Sequence, residues 1–204
     1  MSQKYKWWHG LAFYAGVQVA RLAMRAVAVA AVRRRHGMSL EQDRNFYKKE
    51  RLPWFAPPPL AFPIAWSINS ASSLAGGLHV LNLPPDTPGR AHFLRRQALA
   101  WTLFAAFDAA YFGLRSPINA EVVTILYSAA TVASIQSARR MQDSAAALSL
   151  LSTAAWLALA NLVGAAQAAW NPDPFWKVGP LLEPDPAWLK QPAPELQPYL
   201  AQQI

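Results

Sequence analysis

The chain has 204 residues, 53% of them hydrophobic and only 15% charged, with nine tryptophans, no cysteine and a formal charge of +8. Disulfides are thereby excluded, and with them a small cross-linked scaffold. The mean hydropathy of +0.09 averages very apolar blocks with charged connectors, so it does not describe any one part of the chain.

Taken in order, apolar blocks run over about residues 8–32, 60–81, 97–114, 118–138 and 145–170. Each has roughly the 18 to 26 residues a helix needs to cross about 30 Å of hydrocarbon at 1.5 Å per residue. A soluble helix would show a polar stripe along one face, and these blocks show none. The expected fold class is an all-α membrane protein, a bundle of five transmembrane helices over 1–171. Small residues in AAALSLLSTAAWLALANLVGAAQAAW allow close helix approach and permit a homodimer. No cleavable signal pattern stands before the first block, which is therefore expected to stay in the membrane.

The connectors are rich in turn-formers or charge. With five spans, the first and third connectors and the C-terminus share one side and carry ten Lys/Arg, against seven on the other. The excess places the first connector and the C-terminus in the cytoplasm. Membrane-flanking arginines account for the +8 charge; no basic helix face or motif points to nucleic acid, so the expected partners are membrane lipid and a hydrophobic small molecule. No residue pattern for nucleophilic catalysis, phosphate cradling or metal ligation is present, and His9, His36, His79 and His92 stand apart near block ends.

Arg21 and Arg25 lie one helical turn apart within the first block, and Asp108 lies within the third. Charges at such depth cost about 2.5 to 3.5 kcal/mol each, so they are expected to turn inward and pair. We expect Arg25 and Asp108 to form a structural ion pair, leaving Arg21 either to reach toward the lipid headgroups or to meet a ligand carboxylate through its fork of donors. From Pro172 the chain changes character: eight prolines with scattered Trp and Tyr predict an extended or disordered tail over 172–204, suited to a protein partner or to resting at the membrane interface.

The stretch FYKKERLPWFAPPPLAFPIAW resembles the first-loop and second-helix pattern of the TspO/MBR family, the translocator or tryptophan-rich sensory proteins, approximately W-Y-x-x-L-x-K-P-x-W-x-P-P-x-x-x-F-x-P-x-W. Phe46 and Tyr47 fall on the Trp-Tyr pair, Pro53 on the first proline, Phe55 on the next Trp, Pro57 and Pro58 on the double proline, and Phe62 and Trp66 on the later aromatics. Tyr111, Phe112 and Gly113 match in the third helix, and Trp156, Ala160 and Asn171 in and after the fifth. Departures are Phe104 and Phe107 for an Asn and a Trp, Ser152 and Thr153 for a Pro-Tyr, and Val163 and Gly164 for a Leu-Asn. No sterol-recognition pattern ends the fifth block.

The resemblance implies an aromatic cavity between the helices that binds a flat hydrophobic ligand such as a porphyrin or haem-like tetrapyrrole, with no obligatory cofactor. It implies a lining of Phe46, Tyr47, Phe55, Phe62, Trp66, Tyr111, Trp156 and Ala160, with Arg21 added from the charge argument. Transport, sensing or sequestration of that ligand is the expected role. Two alternatives stand beside it: light-dependent porphyrin breakdown, and a non-catalytic membrane adaptor acting through the tail.

Overall fold

A computed structural model of the chain describes residues 4–36 and 50–190. Five long helices and one short one form an all-helical bundle, with no strand among the described residues: α1 (Trp7–His36), α2 (Ala61–Asn82), α3 (Arg90–Asp108), α4 (Pro117–Arg140), α5 (Ser144–Leu148) and α6 (Leu151–Trp170). The last two are nearly continuous, since Asp143 caps α5 by accepting from the Ala146 amide at 2.9 Å and only a turn separates α5 from α6.

Helix limits follow local chemistry. Proline removes backbone donors over residues 57–59, and α2 starts at Ala61 once that run ends; Pro63 falls in its first turn, where no donor is needed. α3 begins at Arg90, about two turns before the apolar block that announces it. Gly89 makes the turn at φ +87°, and Arg90 then reaches back to donate to the carbonyls of Val80 and Leu81 at 3.1 and 3.0 Å, capping α2. Arg96 donates to the Ala133 carbonyl at 2.6 Å, so two arginines in the early turns of α3 serve neighbouring helices rather than solvent. α3 continues as a π-helical turn, Ala109–Gly113, and Ser116 with Pro117 at the next position starts α4.

α1 packs along α3 and the π-helical turn, α3 along α4, α4 along α6, and α2 closes the bundle against α3, α5 and α6. Gly113 permits the α1 contact, because a Cβ there would lie 2.6 Å from that of Ala28. One core cluster holds Val80, Phe93, Ile135, Ala138, Ala146 and Leu150; a second, nearer the first loop, holds Ala100, Phe104, Tyr127, Ala130 and Leu157.

Beside its apolar core the bundle buries polar side chains and turns large apolar ones outward. Ser73, Gln97, Thr131, Ser134 and Thr153 are buried, while Leu22, Val27, Ile125, Leu126 and Leu162 point outward. Three stretches, Trp7–Arg34, Pro117–Arg140 and Ser144–Trp170, are long and apolar enough to cross a membrane. α2 and α3 fall short of that hydropathy: α2 carries serines, asparagines and a histidine, and α3 carries three arginines and Asp108.

The segment after α6 makes a tight turn closed by an antiparallel bridge between Asp173 and Val178, then runs on to Lys190 through a 3-10 turn, Pro186–Trp188. Asp173 roots it, 1% exposed, accepting from the Ser116 hydroxyl at 2.5 Å and the Ile118 amide at 3.1 Å, so that the carboxylate sits at the α4 N-terminus. Its other oxygen accepts from the amides of Phe175 and Trp176, both at 3.0 Å.

Candidate ligand site

α2 and α6 each present one large indole toward the space between them and α3 and α4. Trp66 lies two turns or less into α2 and Trp156 in the second turn of α6. The two rings meet edge to face at 6.3 Å between centroids. Phe62, one turn before Trp66, meets Trp156 edge to face at 5.3 Å. Tyr127 of α4 lies almost parallel to Trp66, 8° apart at 6.1 Å, and Phe104 of α3 tilts against Trp66 at 5.1 Å. Trp101 adds an edge contact to Phe104 at 5.6 Å. Parallel faces at Trp66 and Tyr127, with edges supplied by the rest, make a surface suited to a flat π-system.

The sequence anticipates Phe62, Trp66 and Trp156; Tyr127 and Phe104 it does not assign to a site. Phe104, which stands for an Asn in the resemblance, fills space beside Trp66 with a ring rather than a polar group. Ala160 lies one turn beyond Trp156 on α6 and is half-buried. Phe55 lies apart, in contact with Trp54 at 5.6 Å, and Phe46 and Tyr47 lie outside the described residues.

Beneath the aromatic cluster is a cleft lined by Ser73, Gln97, Trp101, Tyr127, Thr131 and Thr153, with room for about one water. The hydroxyls of Ser73 and Thr153 are 3.2 Å apart across it. Polar groups converging under an apolar surface are the usual means by which a hydrophobic site orients its ligand.

The charges within the helices pair differently from expectation. Arg21 Nε lies 3.4 Å from Asp108 Oδ2, while Arg25 is exposed and places its guanidinium 5.0 Å from the centroid of Phe112. α1 and α3 run parallel as neighbours, so a step of four residues on one is matched by four on the other. Arg21 meets Asp108, and one turn on, Arg25 meets Phe112. The ion pair is therefore Arg21–Asp108, not Arg25–Asp108, and Arg21 is engaged rather than free for a ligand carboxylate.

Tyr111 belongs to a second constellation at the loop-side end of the bundle. Its hydroxyl donates to Glu50 Oε2 from the first loop, and the Gln167 amide of α6 donates to the same oxygen at 2.7 Å and to the Tyr111 hydroxyl at 2.9 Å. Burial pushes the Glu50 carboxyl up to about 7 against the pull of these two donors, and Oε1 lies buried without a partner. The Asn171 amide clamps the next residue, accepting from the Arg51 N–H at 2.7 Å and donating to the Arg51 carbonyl at 3.0 Å. Glu50 and Gln167 escape the sequence reading. The one signal for Glu50 is that it occupies the place of an apolar Leu in the first-loop pattern.

Against this geometry, comparison with known families gives one match, to the TspO/MBR family, over residues 19–170. The chain belongs to the TspO/MBR family. No curated protein matches it. With its apolar helices, this TspO/MBR protein is an integral membrane protein of a family whose functions include porphyrin binding and transport. The match stops at the end of α6 and leaves out the segment rooted by Asp173.

Proposed function

We propose that the protein carries or senses a planar hydrophobic ligand of the tetrapyrrole class, held between the five long helices, all of which cross the membrane. The observation that supports this reading is the meeting of Phe62, Trp66, Phe104, Tyr127 and Trp156 from four helices in one cluster. A macrocycle would replace the edge contact between the two indoles with face contacts on both, lying against Trp66 and Tyr127. Rings lose little rotamer freedom on binding, and their faces exclude water from the ligand.

The polar cleft under the cluster would receive a polar substituent through Ser73, Gln97 or Thr153. Arg21, whose charge is spent on Asp108, is not assigned to a ligand carboxylate. The reading is tested by titrating the detergent-solubilised protein with protoporphyrin while following tryptophan fluorescence. Saturable quenching that weakens in the Trp66→Phe, Trp156→Phe double variant is expected. Quenching that grows linearly with pigment in both proteins, as partition into micelles would give, contradicts it. Bleaching of the bound pigment under light with defined products would move the breakdown alternative ahead of transport.

A further inference from the structure

The segment beyond the family match returns to the first loop and binds it. Pro53 and Leu189 stand opposite each other as an antiparallel bridge, flanked by the Trp54 amide donating to Trp188 O at 2.9 Å and the Lys190 amide donating to Leu52 O at 2.8 Å. The Lys190 ammonium donates to the Ala56 carbonyl at 2.7 Å, and the Arg51 guanidinium meets Glu183 at 2.6 Å. Together with the Asn171 clamp, these bonds hold the loop from Arg51 to Ala56, the stretch that connects Glu50, docked on Tyr111 and Gln167, to the start of α2 and Phe62.

The two ends of the segment differ in strength. Its root is Asp173, fully buried with four donors around one carboxylate. Its far end is a short ladder with exposed flanks, since Trp54 and Trp188 are 61% and 53% exposed and the Glu183 side chain 75%. The greater exposure of the far end makes it the part of the segment where local opening is easiest.

We propose that residues 171–190 are a strap that pins the first loop across the loop-side end of the bundle, and that ligand exchange at the Trp66–Trp156 cluster requires its far end to release. The proposal rests on the ligand reading above for what is exchanged, but not for whether the strap gates access. Phe62, the first aromatic of the cluster, lies one residue into α2, joined to the pinned loop by the proline run at 57–59.

The chain has no cysteine, so engineered thiols report without background. Pro53 and Leu189 form a non-hydrogen-bonded antiparallel pair, a position whose Cα separation of about 4.5 Å suits a disulfide. A Pro53→Cys, Leu189→Cys variant is compared oxidised and reduced for protoporphyrin dissociation. Separately, an Ala160→Cys reporter is labelled with a water-soluble maleimide, with and without Lys190→Pro, which removes the Lys190 amide and ammonium donors from a strap that stays extended. Expected are dissociation slowed about tenfold by the disulfide and labelling hastened about tenfold by Lys190→Pro, the weight of two net hydrogen bonds. Equal dissociation rates in the two redox states, or an unchanged labelling rate, overturn the strap. Faster labelling in a protein that binds no protoporphyrin upholds the strap and fails the ligand reading.

Discussion

Glu50 makes docking of the first loop sensitive to pH, and the sign follows from its burial. In a released loop its carboxyl has the ordinary pKa of 4.5; docked against Tyr111 and Gln167 it rises to about 7. Below about pH 4.5 both forms are protonated and docking is at full strength. As pH rises toward 7 the released loop ionises while the docked one does not, so docking weakens; above 7 both are ionised and the deficit stays constant. The rise from 4.5 to about 7, at about 1.4 kcal/mol for each tenfold in proton affinity, gives a deficit of about 3.5 kcal/mol. Glu50→Gln keeps a carbonyl acceptor for Tyr111 and Gln167 and cannot ionise. Amide hydrogen exchange at Trp54 and Ala56, both hydrogen-bonded in the docked loop, reads the opening equilibrium once intrinsic exchange is divided out. In the parent protein, protection should fall roughly two hundredfold between about pH 4 and about pH 8, and in Glu50→Gln it should stay level. An equal fall in both proteins, or none in the parent, refutes the reasoning.

Asp173→Ala strips a buried acceptor from two backbone amides of the strap, the Ile118 amide and the Ser116 hydroxyl, and should cost about 2 to 3 kcal/mol, read as a lowered Tm in detergent. Asp108→Ala leaves Arg21 without its partner within the bundle and should reduce the yield of folded protein, by the about 2.5 to 3.5 kcal/mol such a charge costs. Arg25→Ala, which removes only an exposed contact with Phe112, should change the yield little, and size-exclusion recovery compares the two. Gly76→Ala places a Cβ 1.9 Å from Ser149 Oγ and 2.6 Å from its Cβ, so α2 must retreat from α5; a loss of about 1 to 3 kcal/mol is expected in thermal unfolding.

What the sequence makes legible is the part of the structure carried by long apolar blocks. Their lengths locate the helices, and the placement of Trp66, Phe62 and Trp156 on two of them precedes any knowledge of how they meet. That an arginine of α1 would find Asp108 follows from the cost of isolated charge. Which arginine does so depends on the relative register of two parallel helices, and no spacing within one helix contains it. The early start of α3 was hidden because Arg90, Arg95 and Arg96 read as a charged connector, whereas Arg90 and Arg96 spend their donors on carbonyls of α2 and α4.

Polar residues tell a similar story. Glu50 sits among lysines and arginines in sequence and looks solvated there; only the fold brings Tyr111 and Gln167 to it. The strap was illegible for a different reason. Its prolines forbid helix, and it is held by backbone hydrogen bonds and by single side chains such as Asp173, Asn171 and Lys190 at irregular spacing, which leave no periodicity to read.

The proposed binding of a flat macrocycle at the aromatic cluster is tested most directly by circular dichroism in the Soret band of added protoporphyrin. A pigment held against Trp66 and Tyr127 sits in a chiral ring environment and should acquire an induced Soret signal that saturates at one pigment per chain and disappears in the Trp66→Phe, Trp156→Phe variant. A signal that never saturates, or one that survives unchanged in that variant, would contradict the claim.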